Sequence, residues 1–190
     1  LELVACFCHK YAVGAWLRTI WTDISEFSIQ FADEISGSDQ LHTDRLQLRM
    51  FAKQDWELLC VMFADPECVR YTVGMPLPDW ETWRKLAGYL GHWQLRGYGP
   101  YAVVEKDSGK TLGVVGLWYP GDWPEPEIKW SLMRSAWGQG FASEAAAAVK
   151  AMALDELAWT RLISLILPEN VNSKAVARRI GGVYEKTIPF

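Results

Sequence analysis

The segment Trp137-Gly138-Gln139-Gly140-Phe141-Ala142 joins a strand-like stretch to a long alanine-rich helical one. A strand that turns at once into a helix exposes a row of backbone N–H groups, and two glycines let a ligand approach them without side-chain interference. The helix dipole adds partial positive charge at the same point, so the turn suits a pyrophosphate without any lysine. On these residues alone, a tight connection that binds nothing fits as well as an anion site. A dinucleotide loop fits less well, because Ser143 stands where G-x-G-x-x-G needs its third glycine. That loop also wants an acid about 20 residues after the turn, and Glu169 comes later. Elsewhere, Cys6, Cys8, Cys60 and Cys68 have neither zinc-ribbon nor disulfide-framework spacing, and His9, His42 and His92 are scattered. They read as free thiols in a reducing cytoplasm and structural or solvated imidazoles, with no metal site.

The elements that must position this turn follow from periodicity and punctuation. Leu46 to Met50 alternates as a strand, and a helix opens at Asp55, a candidate cap, and runs toward Asp65-Pro66. A second helix is expected from Trp80 to Leu95, starting near Asp79 and ending at Gly97. Tyr101–Glu105 and Leu112–Leu117 read as a hairpin around the Asp107–Lys110 turn. After a Pro- and Trp-rich loop, a strand covers Glu127 to Met133, and the turn leads into a helix from about Ala142 to Leu157. Arg161–Leu167 reads as a buried strand, Asn172 or Ser173 as the cap of a last helix ending at Gly181, and Val183–Ile188 as a final strand. Strand, two helices, three antiparallel strands, then strand–helix–strand–helix–strand is an α+β, mixed-sheet order.

The 190 residues suit one domain plus an appendage, with a break at Ser36-Gly37-Ser38-Asp39. Before the break, Phe27–Phe31 alternates like a short strand. Residues 11–17, the longest uncharged run near the start, fall far short of the roughly 20 residues of a membrane span, and no basic segment precedes an apolar one. A net charge of −4 without basic runs disfavours a nucleic-acid partner. The expectation is therefore a cytoplasmic protein with no nucleic-acid or membrane partner.

The blocks His42–Arg49, Ala64–Glu67, Glu127–Trp130, Trp137–Ala145 and Asn170–Ser173, in that order between Leu41 and Glu185, resemble those of the GNAT superfamily of N-acetyltransferases, in its ribosomal-protein-alanine acetyltransferase-like (RimJ/RimL-type) branch. His42–Arg49 resembles the opening T-x-R-L-x-L-R strand, Ala64–Glu67 the motif after the first helix, and Glu127–Trp130 the E-I-G-Y/W strand. Trp137–Ala145 resembles W-G-x-G-Y-A-T-E-A, and Asn170–Ser173 with Gly181 resembles N-x-x-S followed by a distant G-F. Lys129 replaces the usual Gly, Gly182 the usual aromatic, and Ala177 stands where members with a catalytic tyrosine carry it. The resemblance implies a GNAT-like, mostly antiparallel sheet of about six strands flanked by helices, with the acyl-CoA site at the turn from the family's fourth strand into its third helix. Residues 41–190 would form that domain without its last strand. Residues 1–40 read as an extension, left open between a non-native stretch and a strand donor, with Phe27–Phe31 filling the edge at Val183–Phe190 from its own chain or from a neighbour in a homodimer.

The implied chemistry is direct attack of an amine on acetyl-CoA in a ternary complex, needing no cysteine nucleophile and no metal. Glu127 is the expected general base, since it opens the strand leading to the turn and sits among Trp118, Trp123 and Trp130, where burial would raise its pKa. Glu125 is the competing carboxylate. Ser173 is the candidate acid toward the thiolate, with a helix-capping role as its alternative. Cofactor contacts fall to Leu132 and Met133 by backbone, to Trp137, Gly138, Gln139, Gly140, Phe141 and Ala142 at the turn, and to Asn170. The acceptor remains open among protein N-termini, polyamines, aminoglycosides and small metabolites. A non-catalytic acyl-CoA-binding module is the rival reading.

Overall fold

A computed structural model describes the backbone of residues 2–4 and residues 37–189. Cys6, Cys8, His9 and the strand-like Phe27–Phe31 lie outside the described residues. Five strands, β2 (Gln40–His42), β3 (Leu46–Arg49), β4 (Pro100–Glu105), β5 (Thr111–Trp118) and β6 (Glu127–Leu132), pair antiparallel in chain order. Alternation sorts their side chains onto two faces. Tyr101, Val103, Val115, Leu117 and Ile128 share one core with Leu46 and Leu48. Ala102 and Val114 turn to the other face, against Phe51, Leu59, Met62, Phe63, Leu86 and Tyr89.

The second face is covered by α1 (Trp56–Ala64) and α3 (Asp79–Arg96), with the short α2 (Pro66–Val69) between them. The expected helix over 80–95 is there, and Gly97 ends it in a left-handed conformation with φ 71°. Asp55 does not cap α1 with its side chain. Arg49 reaches both carboxylate oxygens at 2.7 and 2.8 Å and the Ala52 amide donates at 2.8 Å, so the ion pair takes the group that cap chemistry would have used.

On the first face lies α4 (Phe141–Asp155), whose Ala145, Ala146, Val149, Met152 and Ala153 are buried. Small side chains let this helix lie close on the sheet, which brings its N-terminus to the end of β6. The run Arg161–Leu167 forms a ladder only over β7 (Ser164–Ile166), although Leu162 and Ile163 are fully buried. That ladder is made with another strand; toward β6 the chain forms a single parallel bridge, Glu127 with Ile163 just before β7, and the five-stranded sheet ends there.

Helix α5 (Val171–Arg179) follows, and its cap is Asn170, whose side-chain oxygen accepts from the Ser173 amide at 3.1 Å; neither Asn172 nor Ser173 serves. The last strand, β8 (Tyr184–Thr187), belongs to a three-stranded sheet in the order β7-β1-β8, with β1 (Glu2–Val4) antiparallel to both neighbours. The edge expected to lie open beside the last strand is thus paired, by Glu2–Val4.

Candidate active site

Beyond the Glu127–Ile163 bridge, β6 and β7 part and leave a cleft. The Ile128 amide donates to the Ile163 carbonyl at 2.8 Å, so it points toward β7. Backbone direction alternates along a strand, which turns the amides of Trp130 and Leu132 the same way, into the gap. The Leu132 carbonyl faces it too, where Trp137 Nε1 donates to it at 2.7 Å. Met133 points the other way: its amide donates to the Leu112 carbonyl at 2.8 Å and its side chain packs with the α1–α3 core. Of the expected cofactor contacts, Met133 does not line the cleft, because alternation carries it to the far side of the strand.

The cleft measures about 1400 Å³, above the roughly 300–1,000 Å³ of a site for one small ligand. It has room for two reactants side by side. Its lining gathers Glu127, Leu132, Trp137–Ala142, Asn170 and Ser173, which come from β6, the turn, α4 and α5.

The turn is held open from behind. Gly138 and Gly140 have φ of 75° and 84°, a region where a side chain is strained, and a Cβ on Gly138 would meet nothing within 4 Å. Gly140 occupies the N-cap of α4, and no side chain caps the first amides of the helix. Ser143 Oγ, in that first turn, is buried without a hydrogen-bond partner among the described residues and lines the cleft. Free amides, an orphan hydroxyl and open space above a glycine fit a phosphate group.

A clamp from the β2–β3 connection braces this arrangement. Glu144 accepts from Thr43 Oγ1 at 2.5 Å, from the Arg45 amide at 3.0 Å and from Arg45 Nε at 2.7 Å. Arg45 also donates to the Gln139 carbonyl at 3.0 Å and stacks 4.4 Å over the Phe141 ring. Burial pushes the Glu144 carboxyl up, but these donors and the Arg45 charge outweigh it and hold the group below the usual carboxylate range. Arg45→Ala should therefore raise the KM for acetyl-CoA about three- to tenfold while leaving kcat within about twofold, the loss of one charge-assisted contact. Steady-state kinetics at varied acetyl-CoA checks this, and an unchanged KM would remove Arg45 from the support of the turn.

Glu127 is 6% exposed. Its two oxygens accept from Trp123 Nε1 at 2.7 Å and from the Leu165 amide at 3.1 Å. Burial raises its pKa, against the opposing pull of Lys129, the Leu165 amide and Trp123. Glu125 is bound instead by Arg161, which also pairs with Glu185 at 2.9 Å. Ser173 Oγ accepts from Trp130 Nε1 at 3.2 Å, an interaction that spans the cleft and leaves the hydroxyl proton free to donate. Ala177 is fully buried in the core.

Cys60 and Cys68 are free thiols. Burial raises the pKa of each, and Cys68 turns toward the Leu132 carbonyl at 3.8 Å. His92 is fixed between the Tyr98 carbonyl at 2.8 Å and the Tyr119 amide at 2.9 Å, and stacks on Trp118. Beyond the sequence-level candidates, Ser143, Lys129 and Lys85 also face the cleft, as do Arg70, Arg84, Arg179 and Glu67. For Lys129 the signal was its spacing, two residues from Glu127 on one strand. Lys85 had none, since only the packing of α3 brings it there.

Among the described residues no group of three His, Cys, Asp or Glu is placed to hold a metal ion, and no helix is long and apolar enough to cross a membrane. A family model described as the acetyltransferase (GNAT) domain matches residues 45–183. The uncharacterized N-acetyltransferase p20 of Bacillus licheniformis is 28% identical over 137 residues, which cover 71% of this chain and 77% of that protein. An acetyltransferase structure from Agrobacterium tumefaciens superposes with a TM-score of 0.73 at 29% identity, covering 92% of both chains. The structure of a putative ribosomal-protein-serine acetyltransferase from Vibrio cholerae shares the fold, with a TM-score of 0.58 at 23% identity over 75% of this chain and 82% of that one. With a matched domain that contains the β6 strand, the glycine turn and the Asn170–Ser173 helix start, the chain belongs to the GNAT acetyltransferase family and is an acetyl-CoA-dependent acetyltransferase.

Proposed function

We propose that this acetyltransferase transfers the acetyl group to the nitrogen of a primary amine by direct attack within a ternary complex. The observation that carries this reading is Glu127, a buried carboxylate with a raised pKa on the wall of a cleft large enough for both reactants. Such a group takes a proton from an ammonium more readily than an ordinary carboxylate does. The amides from Gly138 to Ala142 hold the pyrophosphate with Ser143, and Asn170 offers its amide NH2 to the cofactor arm while its oxygen caps α5. The amides of Trp130 and Leu132 stand where a polarised thioester carbonyl needs donors. Ser173 relays to the departing thiolate the proton that the attacking nitrogen sheds as the amide forms, and is a neutral hydroxyl again at the end. Neither free thiol is recruited, because a raised pKa suppresses the thiolate a nucleophile requires.

Incubation with isotopically labelled acetyl-CoA and a panel of amines tests the reading by mass spectrometry. N-acetylated product without any acetylated protein intermediate is the expected result. A covalent acetyl-enzyme, or transfer only to hydroxyls, would sink it, and CoA binding without turnover of any amine would leave a binding module instead.

A further inference from the structure

We infer that the acceptor is a primary amine that carries a carboxylate close to its nitrogen, held by Lys129 and Lys85 on the α3 face of β6. The inference rests on the N-acetyltransferase reading and names its substrate class. Glu127 and Lys129 are two residues apart on β6, so their side chains share a face. They lie about 7 Å apart along the strand, a span for one small molecule bonded at both ends. The residue opposite Lys129 on β5 is Gly116, so no side chain crosses from that strand.

The Lys129 ammonium rests 4.9 Å from the Trp118 ring centre and 5.4 Å from that of Tyr89, and Lys85 sits over Phe63 at 5.4 Å. Neither lysine forms an ion pair among the described residues. Glu127 acts on Lys129 and Glu81 on Lys85 through their charges, but neither carboxylate comes within ion-pair contact of a lysine, and Glu127 has both oxygens in hydrogen bonds from Trp123 and Leu165. Burial lowers the pKa of both lysines; the charge of Lys129 lowers that of Lys85 further, while Tyr89 and Glu81 oppose the shift at Lys85 and Glu127 opposes it at Lys129. Two desolvated cations in one cleft, neither in contact with a carboxylate, are costly, and a ligand carboxylate would relieve that cost. The protein as a whole is acidic, at −4, so the concentration of positive charge here is local. It also lies on the face of β6 away from α4, whose N-terminus serves the pyrophosphate. The site therefore reads an acceptor at two points: the amine at Glu127 and the carboxylate at the lysines, with Trp118 and Tyr89 as apolar walls.

Titration calorimetry on the enzyme saturated with CoA tests this, using amino acids, the matching amino acid amides, peptides with an acidic first residue, and spermine. A carboxylate-bearing amine should bind at least about tenfold more tightly than its amide, and Lys129→Met or Lys85→Met should abolish that preference while Lys129→Arg keeps it. Tighter binding of the amino acids or of the acidic peptides identifies which source supplies the carboxylate. CoA affinity, measured on each variant, reports that the fold is intact. Equal or tighter binding of amides or spermine, no binding by any carboxylate-bearing amine, or lysine variants that weaken CoA itself would each overturn the inference. If the amino carboxylate binds as expected but is never acetylated, the anchor stands and the N-acetyltransferase reading falls.

Discussion

Glu127→Gln should lower kcat about 100- to 1,000-fold, the range of a lost general base, while the KM for acetyl-CoA stays within about twofold. The side chain keeps its size, and the turn at Gly138–Ala142 that faces the cofactor lies at the other end of β6. In the wild type, kcat/KM should rise with pH through an acidic limb whose apparent pKa lies above the usual carboxylate range. Burial sets that direction, because it disfavours the charged form, and the Lys129 charge and the two donors only partly offset it. In the Gln variant the limb should vanish, leaving a low and pH-independent rate. A limb that persists in the variant would assign the titration to another group.

The same group makes an independent statement about stability. Its folded pKa is above its unfolded value of about 4.3, so its contribution is full below that value and is lost as pH rises through the folded pKa. The Tm of Glu127→Gln relative to wild type should therefore climb across that window. Hydrogen bonds lost to the substitution shift the difference by a constant and leave its pH dependence intact. A difference that stays flat with pH would mean that Glu127 titrates like an ordinary carboxylate, which would also remove the reason for its choice as base.

What could be read in advance follows how local the determining interaction is. Strand β3 announces itself by alternation, β4 and β5 by the turn between them, and α3 by its spacing and by Gly97, where a single left-handed residue decides the end. The turn is legible because two glycines and a helix start are adjacent in sequence. Helix α5 shows the opposite case. Asn170, Asn172 and Ser173 all have cap chemistry, and only the backbone at Asn170, with φ −81° and ψ 73°, selects among them. Asp55 failed as a cap for a similar reason, since Arg49 is a stronger partner than a helix amide and arrives from β3. The apolar run at 161–167 overstated its strand because apolarity reports burial, whereas a ladder needs a neighbour, and β6 withdraws after one bridge. That withdrawal opens the cleft, so the expected strand that the fold shortens to Ser164–Ile166 is also the one that makes the site. Lys85, Tyr89 and Glu2–Val4 owe their places to long-range packing, which no local pattern encodes.

Gly140→Val should weaken acetyl-CoA binding about 10- to 100-fold, the loss of one or two charge-assisted backbone contacts. Two effects combine. Valine at φ 84° is strained, at a cost of about 1–2 kcal/mol, so the chain relaxes and the amides of Gly140 and Phe141 swing off their common direction. The new side chain also needs space on the ligand side, because Arg45 Nη2 already stands 3.4 Å from the Cβ position behind the turn. Strain alone would produce a less stable protein with unchanged affinity, so the two causes need separating. Gly109 provides the control: it has φ 67°, nothing within 4 Å of its Cβ position, and a place in the β4–β5 hairpin turn outside the cleft lining. Gly109→Val should lower the Tm by a similar amount and leave the Kd for CoA unchanged. Calorimetric titration of both variants, alongside their thermal melts, decides the matter. If Gly140→Val loses stability but binds CoA as the wild type does, the anion site is not at the α4 N-terminus, and the cofactor must enter the β6–β7 gap by contacts with the strands alone.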